Sequence, residues 1–459
     1  MKSLDRLGNH DVRQLLKEFS IPAIIGMVVN ALYNVIDRLY IGQGCGLDAI
    51  AGVALAFPFM VILVAFGTLI GVGSGALLSL KLGEGNRSDA EKVLGQCVAV
   101  KILFGLTLPF IGLYYLDDLI RVFGGTPEAI PYAHDYLRIV LFGNVFAHLS
   151  FGLSNLMRSE GNAKQSMRCM ILGAVLNTLL DPVFIFGFKM GVSGAAWATN
   201  IAMFCSAAYA FHHYLSKNSV VRLRLTRIRI YPEMLMRVFA IGLSPFAIQL
   251  MGGLVNISFN KTFLKWAATT QAATIEIAAM GIANSVLFLL LMPIFGLTQG
   301  MQPIVGYNYG AKRFDRVGDA YTLCIKISTA LCFLITVTVL SLAWPIVRCF
   351  THDPALLHAG TRGLRIICCL FTVIGMPIVT ISYLQSVGRP ALGIILSIIR
   401  QFFLLIPLIF LLPHVWGITG IWTASPVADV ISSAITAFVV IVELRHLRRL
   451  QAGTDHSLA

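Results

Sequence analysis

Gly296-Leu-Thr-Gln-Gly300, followed by Gly310-Ala-Lys-Arg313, repeats Gly71-Val-Gly-Ser-Gly75, followed by Gly85-Asn-Arg-Ser-Asp89, at an offset of 225 residues. Gly191-Val-Ser-Gly194 returns as Gly417-Ile-Thr-Gly420 at 226, Ile21-Pro22 as Ser244-Pro245 at 223, and Asp181-Pro182 as Ile406-Pro407 at 225. Near-constant offsets spread along 459 residues mean that one structural unit occurs twice. All of these motifs sit in or beside apolar segments, which decides what the unit is made of.

A helix needs about 20 apolar residues to cross the hydrocarbon of a bilayer. Twelve segments meet that template, at roughly 18–41, 48–82, 93–116, 134–159, 166–188, 194–216, 234–263, 271–305, 316–346, 358–386, 391–412 and 417–444. The expected fold is an all-α polytopic membrane protein with 12 transmembrane helices in two pseudo-symmetric six-helix lobes. An even number of spans per copy makes the repeats parallel, related by an axis along the membrane normal. The lobes are expected at 1–216 and 234–446, joined by a basic linker over 217–233 and followed by a tail over 447–459.

Composition agrees. Hydrophobic residues make up 57% of the chain and charged ones 12%, with a mean hydropathy of +0.79. A soluble domain carries about 25% charged residues, so this chain cannot clothe a globule in water. A soluble enzyme, a disordered regulator and a disulfide scaffold are excluded. The net charge of +13 is concentrated in loops such as Arg87/Lys92, Arg222/Arg224/Arg227/Arg229, Lys312/Arg313/Arg316 and Arg445/Arg448/Arg449. By the positive-inside rule both termini are cytoplasmic, and no nucleic-acid partner is expected. The polar N-terminus does not read as a removable leader, so the first apolar segment is expected to do the targeting. Nine scattered cysteines read as small buried hydrophobes.

Polar groups in the hydrocarbon are costly and mark function. Counting about 1.5 Å per residue places Asp37, Asp181 and Thr199 at one depth, roughly 6–10 Å below the outer boundary. Asn177 shares a helix face with Asp181 one turn away. Asn30 and Asn34 extend Asp37 into a polar stripe that also passes Tyr33. Such a hard-oxygen cluster holds a small cation, or shares a proton because adjacent carboxylates resist ionising together; the bland alternative is a polar network that orients helices. The second-lobe counterpart of Asp181 is Ile406, so the fold does not require these acids. Arg400 and Asp429 fall near the midplane and form either a structural ion pair or a gating pair. Gln249, Asn256 and Asn284 supply only neutral polar groups in the second lobe. Glu276 is expected to be solvated near the outer end of its helix. His148, with Asn144, reads either as part of a proton path or as a satisfied interior histidine. No phosphate-cradling GxxxxGK[ST] loop, HExxH helix or CxxC array is present, so neither ATP-driven pumping by this chain nor an enzyme is expected.

The stretch Ala279-Met-Gly-Ile-Ala-Asn284 … Met292-Pro-Ile-Phe-Gly-Leu-Thr-Gln-Gly300 … Gln302-Pro-Ile-Val-Gly-Tyr-Asn-Tyr-Gly310, with the two-lobe pattern, resembles the multidrug and toxic compound extrusion (MATE) family and its bacterial MepA-like branch. The resemblance spans nearly the whole chain. It implies export of organic cations and drugs in exchange for H⁺ or Na⁺; a place in the bacterial inner membrane, no further cofactor and a monomeric state are expected. The family's first-lobe cation site falls on Asp37, Asn177, Asp181 and Thr199. Some members also place acids in helices seven and ten; this sequence has none there. Asn30, Tyr33, Asn34, Gln249, Asn256 and Asn284 are the expected substrate-binding groups. The alternative is a lipid-linked precursor flippase of related architecture, which needs cationic groups in the cleft to meet a pyrophosphate.

Overall fold

The computed structural model describes residues 2–122, 129–216 and 219–458; Lys217 and Asn218, at the start of the expected linker, lie outside the described residues. Two apolar helical bundles follow one another along the chain. The first contains α1 (Lys2–Asn9), α2 (Val12–Cys45), α3 (Leu47–Gly83), α4 (Arg87–Tyr114), α5 (Leu116–Val122), α6 (Ile130–Ser159), α7 (Ala163–Pro182) and α8 (Val192–Leu215). The second contains α9 (Pro232–Trp266), α10 (Thr270–Gly310), α11 (Phe314–Arg348), α12 (Pro354–Cys368), α13 (Gly375–Ser386), α14 (Pro390–Ile398), α15 (Ile406–Leu411) and α16 (Pro413–Leu458). Among the described residues, ten helical segments are long and apolar enough to cross a membrane, and an eleventh is counted if α12 and α13, bent by 50°, make one span. The sixth expected span, α8, is more polar because Asn200, Ser206 and His213 on it are buried inside the bundle. Large side chains such as Phe142, Phe333 and Phe438 stand exposed on the outside, as a lipid-facing surface requires.

Local sequence explains where the helices begin and break. Asp11, Asn86, Thr269 and Asp353 cap helix starts by accepting the N–H of Gln14, Asp89, Ala272 and Leu356. The expected single helix over 358–386 is instead two helices joined through the tight turn Phe371–Ile374. Pro377 is the reason: it has no N–H for the carbonyl of Val373, one turn back. The Ser433 hydroxyl donates to that freed carbonyl at 3.0 Å. The eleventh span, expected as one helix over 391–412, carries a π-helical stretch at Ile399–Leu405, and Val183–Gly187 prolongs α7 in the same way. The tail beyond 446 continues α16 as helix.

The duplication is visible in the backbone. Left-handed turns at Gly85 and Lys312, Gly161 and Gly388, and Gly191 and Gly417 recur 227, 227 and 226 residues apart. Gly191 (φ 60°, ψ −136°) and Gly417 (φ 57°, ψ −140°) share one conformation.

The bundles meet at the end that carries the basic loops. A Cβ on Gly83 of α3 would lie 2.0 Å from the carbonyl oxygen of Tyr307, and one on Gly310 of α10 2.3 Å from that of Leu80. These two contacts are reciprocal, as a two-fold axis between α3 and α10 requires. Gly242 of α9 packs on the backbone of Leu69, and Gly296 and Gly300 of α10 on Ile24 and Ser20 of α2. Toward the other end, Asn34, Asn256 and Asn284 are exposed, and added Cβ atoms on Gly252, Gly253 and Gly281 would meet nothing within 4 Å. The bundles are therefore closed at the basic end and spread apart at the opposite end.

Candidate cation site

The first bundle draws its polar groups inward. Asp37 on α2, Asn177 and Asp181 on α7 are buried, and Thr199 on α8 is half-buried beside them. The Asn177 amide nitrogen donates to Asp181 Oδ1 and to Thr199 Oγ1, each at 3.2 Å. The Asp37 and Asp181 carboxyl groups lie within hydrogen-bonding reach of one another. The four residues thus form one cluster from three helices. Their hydrogen bonds do not use up their capacity. Asp37 Oδ1, Asn177 Oδ1 and Asp181 Oδ2 are buried oxygens with no hydrogen-bond partner. Each such atom costs about 1–3 kcal/mol when left unmet. Unmet hard oxygens on three residues of one cluster suit a proton or a small hard cation.

Tyr33 and Tyr136 stand close to both carboxyl groups. Tyr136 is buried on α6, where counting depth over acidic and amide residues does not find it. Arg38, the neighbour of Asp37, lies 5.5 Å from the centre of the Phe57 ring.

The remaining candidates fall elsewhere. Asn30 and Asn34 are exposed, and the Asn34 amide donates to the Asn30 carbonyl at 2.7 Å, so they do not join the buried cluster. In the second bundle, Asn284 donates to Asn256 at 3.1 Å. Asn284 is five turns along α10 from Gln302, whose amide points at the carbonyl of Val72 in the first bundle at 3.4 Å. Gln249 is half-buried on α9, 20° around the helix from Gly242 at about 100° per residue. Arg400 and Asp429 are joined through Nε and Nη2 to Oδ1, both at 2.7 Å, with Asp429 buried and Arg400 partly exposed.

Two expectations need correction, and one buried charge falls outside them. Glu276 is buried, not solvated: its carboxylate takes the Arg362 guanidinium at 2.5 Å and the Trp422 indole N–H at 2.8 Å. Of the two readings of His148, the satisfied interior one finds no partner among the described residues: its Nδ1 is buried without one, as is the Asn144 amide nitrogen. Lys101 is also internal. It is fully buried in α4, donates to the Gly67 carbonyl at 2.5 Å and lies 5.5 Å from the Phe151 ring centre.

Comparison with known proteins bears on the whole arrangement. A model of the family described as MatE matches residues 22–183 and 253–411. The multidrug export protein MepA of Staphylococcus haemolyticus (strain JCSC1435) is 27% identical over 429 residues, covering 93% of this chain and 92% of that protein. A solved structure of a MOP superfamily transporter from Pyrococcus furiosus Vc1 (DSM3638) has a TM-score of 0.91 at 24% identity, over 98% of this chain and 99% of that one. A multidrug resistance MATE family transporter solved in an outward-facing conformation gives 0.91 at 23%, over 98% and 99%. The two structures share the fold, two lobes of six spans each.

Proposed function

The chain belongs to the MatE family, and from that premise we propose that it is a secondary transporter that exports lipophilic organic cations and drugs in exchange for H⁺ or Na⁺. The observation that carries the coupling is the trio of unpartnered buried oxygens on Asp37, Asn177 and Asp181. A cationic drug in the interlobe cleft is attracted by these carboxylates when they are ionised. An ion arriving from outside competes for the same negative charge and the drug is released. Because the site sits inside one lobe, the exchange is electrostatic and does not need drug and ion to share every contact. Asn256, Asn284 and Gln249 on the second lobe's cleft face, with Asn30, Tyr33 and Asn34 on the first, supply adaptable polar contacts for drugs of different shape. The two lobes rock about their glycine-lined junction to give alternating access. With the basic end in the cytoplasm of a bacterial inner membrane, the described state faces outward, and both termini are cytoplasmic. The acid cluster has the wrong sign to receive a pyrophosphate, which disfavours the flippase reading.

The test is transport by the full chain in liposomes under a pH gradient or a Na⁺ gradient, each imposed alone. Asp37→Asn and Asp181→Asn are nearly isosteric, so they are expected to fold and to retain part of the drug affinity. Gradient-driven exchange is expected to fall at least tenfold in each. In the wild type, external acidification weakens drug binding if H⁺ is the coupling ion, because protonation removes the attracting charge. Added Na⁺ at constant pH does so if Na⁺ is. Full gradient-driven efflux by the double variant would refute the site.

A further inference from the structure

The linker between the lobes is not slack. Buried Glu160, at the end of α6, accepts the Ser219 hydroxyl at 2.8 Å and the N–H groups of Val220 and Val221 at 3.2 and 3.3 Å. The Leu223 N–H donates to the Tyr214 carbonyl, and that of Tyr231 to the side chain of Gln96. Residues 219–231 are thereby stitched to the basic end of the first lobe. This stitching gathers Arg222, Arg224 and Arg227 against Arg87 and Ser88 at the start of α4, around a cavity of about 510 Å³.

Glu91 is the single carboxylate lining that cavity. Its Oε2 lies 3.3 Å from both Arg224 and Arg227, and its Oε1 3.8 Å from Arg87. Four guanidinium groups against one carboxylate leave an excess of three positive charges. Arg227 is also spent on the Ser88 carbonyl at 2.5 Å, which fixes its position, while the Arg87 and Arg224 side chains remain more than half exposed. A nest of forked donors with surplus positive charge is suited to a phosphate oxyanion. Its surroundings say where that phosphate comes from. Leu225, between Arg224 and Arg227, is 86% exposed, and Leu215 and Met236 nearby in the chain are each 69% exposed. Large aliphatic side chains beside arginines at the end of a membrane bundle belong at the boundary between headgroups and acyl chains.

We propose that Arg87, Arg222, Arg224 and Arg227 form a binding site for the phosphate of an anionic phospholipid in the adjoining leaflet, with Leu225 dipping into its acyl region. The site lies apart from the acid cluster and does not depend on the transport reading. Lipid binding is read directly, so failure of either can be told from failure of the other.

The experiment is native mass spectrometry of the purified full chain in detergent, titrated with phosphatidylglycerol, phosphatidylcholine or inorganic phosphate. Phosphatidylglycerol is expected to remain bound where phosphatidylcholine does not. Arg222→Gln with Arg224→Gln, both exposed positions, is expected to weaken phosphatidylglycerol about tenfold. Leu225→Ser is expected to weaken it severalfold without loss of fold. Arg448→Gln with Arg449→Gln, an equal charge loss in α16, is expected to leave it unchanged. Equal retention by the wild type and the Arg222/Arg224 variant, or an equal loss in the Arg448/Arg449 variant, would overturn the site. Displacement of phosphatidylglycerol by millimolar inorganic phosphate, with Leu225→Ser silent, would overturn the lipid and assign the nest to a soluble phosphate.

Discussion

Arg400 and Asp429 show how far single residues can be read from a sequence. Their depth was open to counting, and they do meet; what counting could not give is their unequal burial. Asp429 is almost fully buried and Arg400 keeps nearly a third of its side chain exposed. Removing Arg400 strands a buried carboxylate, at a cost on the order of 3–5 kcal/mol. Removing Asp429 leaves a guanidinium that retains access to polar surroundings, so its cost is smaller. Arg400→Ala is therefore expected to lower folded yield more than Asp429→Ala, with the charge swap recovering part of the loss; size-exclusion profiles of the three variants decide it. Normal folding of both single variants with lost transport would make the pair part of the mechanism. Asp37, Asn177, Asp181 and Thr199 were traceable because one depth and one helix turn bring them together. Lys101 and Glu276 were not. The apolar window began α4 at 93 rather than Arg87, which hid how deep Lys101 lies. The partners of Glu276, Arg362 and Trp422, are 86 and 146 residues away.

At the scale of elements, the repeated motifs foretold the turns better than the helices. Gly191 and Gly417 were matched as sequence, and both adopt the same left-handed geometry. Nothing lies within 4 Å of where a Cβ on Gly417 would sit, so Gly417→Ala isolates backbone strain from crowding. It is expected to cost about 1–3 kcal/mol, seen as a lowered midpoint in thermal unfolding. Gly453→Ala, in helix and equally uncrowded, is expected to be neutral or slightly stabilising. The break before Pro377 escaped the sequence reading because a proline in a membrane span often only bends it. Here Ser433, from another helix, rescues the freed carbonyl, and that contact exists only in the folded bundle.

For the whole molecule, twelve spans in two parallel lobes followed from hydropathy and the repeat, whereas the closed end did not, because it depends on how backbones pass one another. Gly83 and Gly310 allow that approach. An alanine at 310 would press on the Leu80 carbonyl only while the basic end is shut. Gly310→Ala is expected to disfavour this state by about 1–3 kcal/mol and to move the population toward the opposite-facing one. Spin labels at Glu84→Cys and Lys312→Cys, in a cysteine-free background, are expected to report a longer distance in that variant. An unchanged distance distribution would mean that the glycine contact does not govern closure.

The short helix α1 belongs to the first lobe by sequence but is fastened to the second. The Leu7 carbonyl accepts from Asn308 at 3.0 Å and from Arg316 at 3.3 Å, and Arg316 and Arg313 reach the carbonyls of His10 and Gly8, each at 2.5 Å. Its partners are made some 300 residues later. At a ribosomal rate of about 5–20 residues per second, α1 waits roughly 15–60 s for them. During that interval Leu7 has no seat, and α1 can dock only after α10 and the start of α11 have been made.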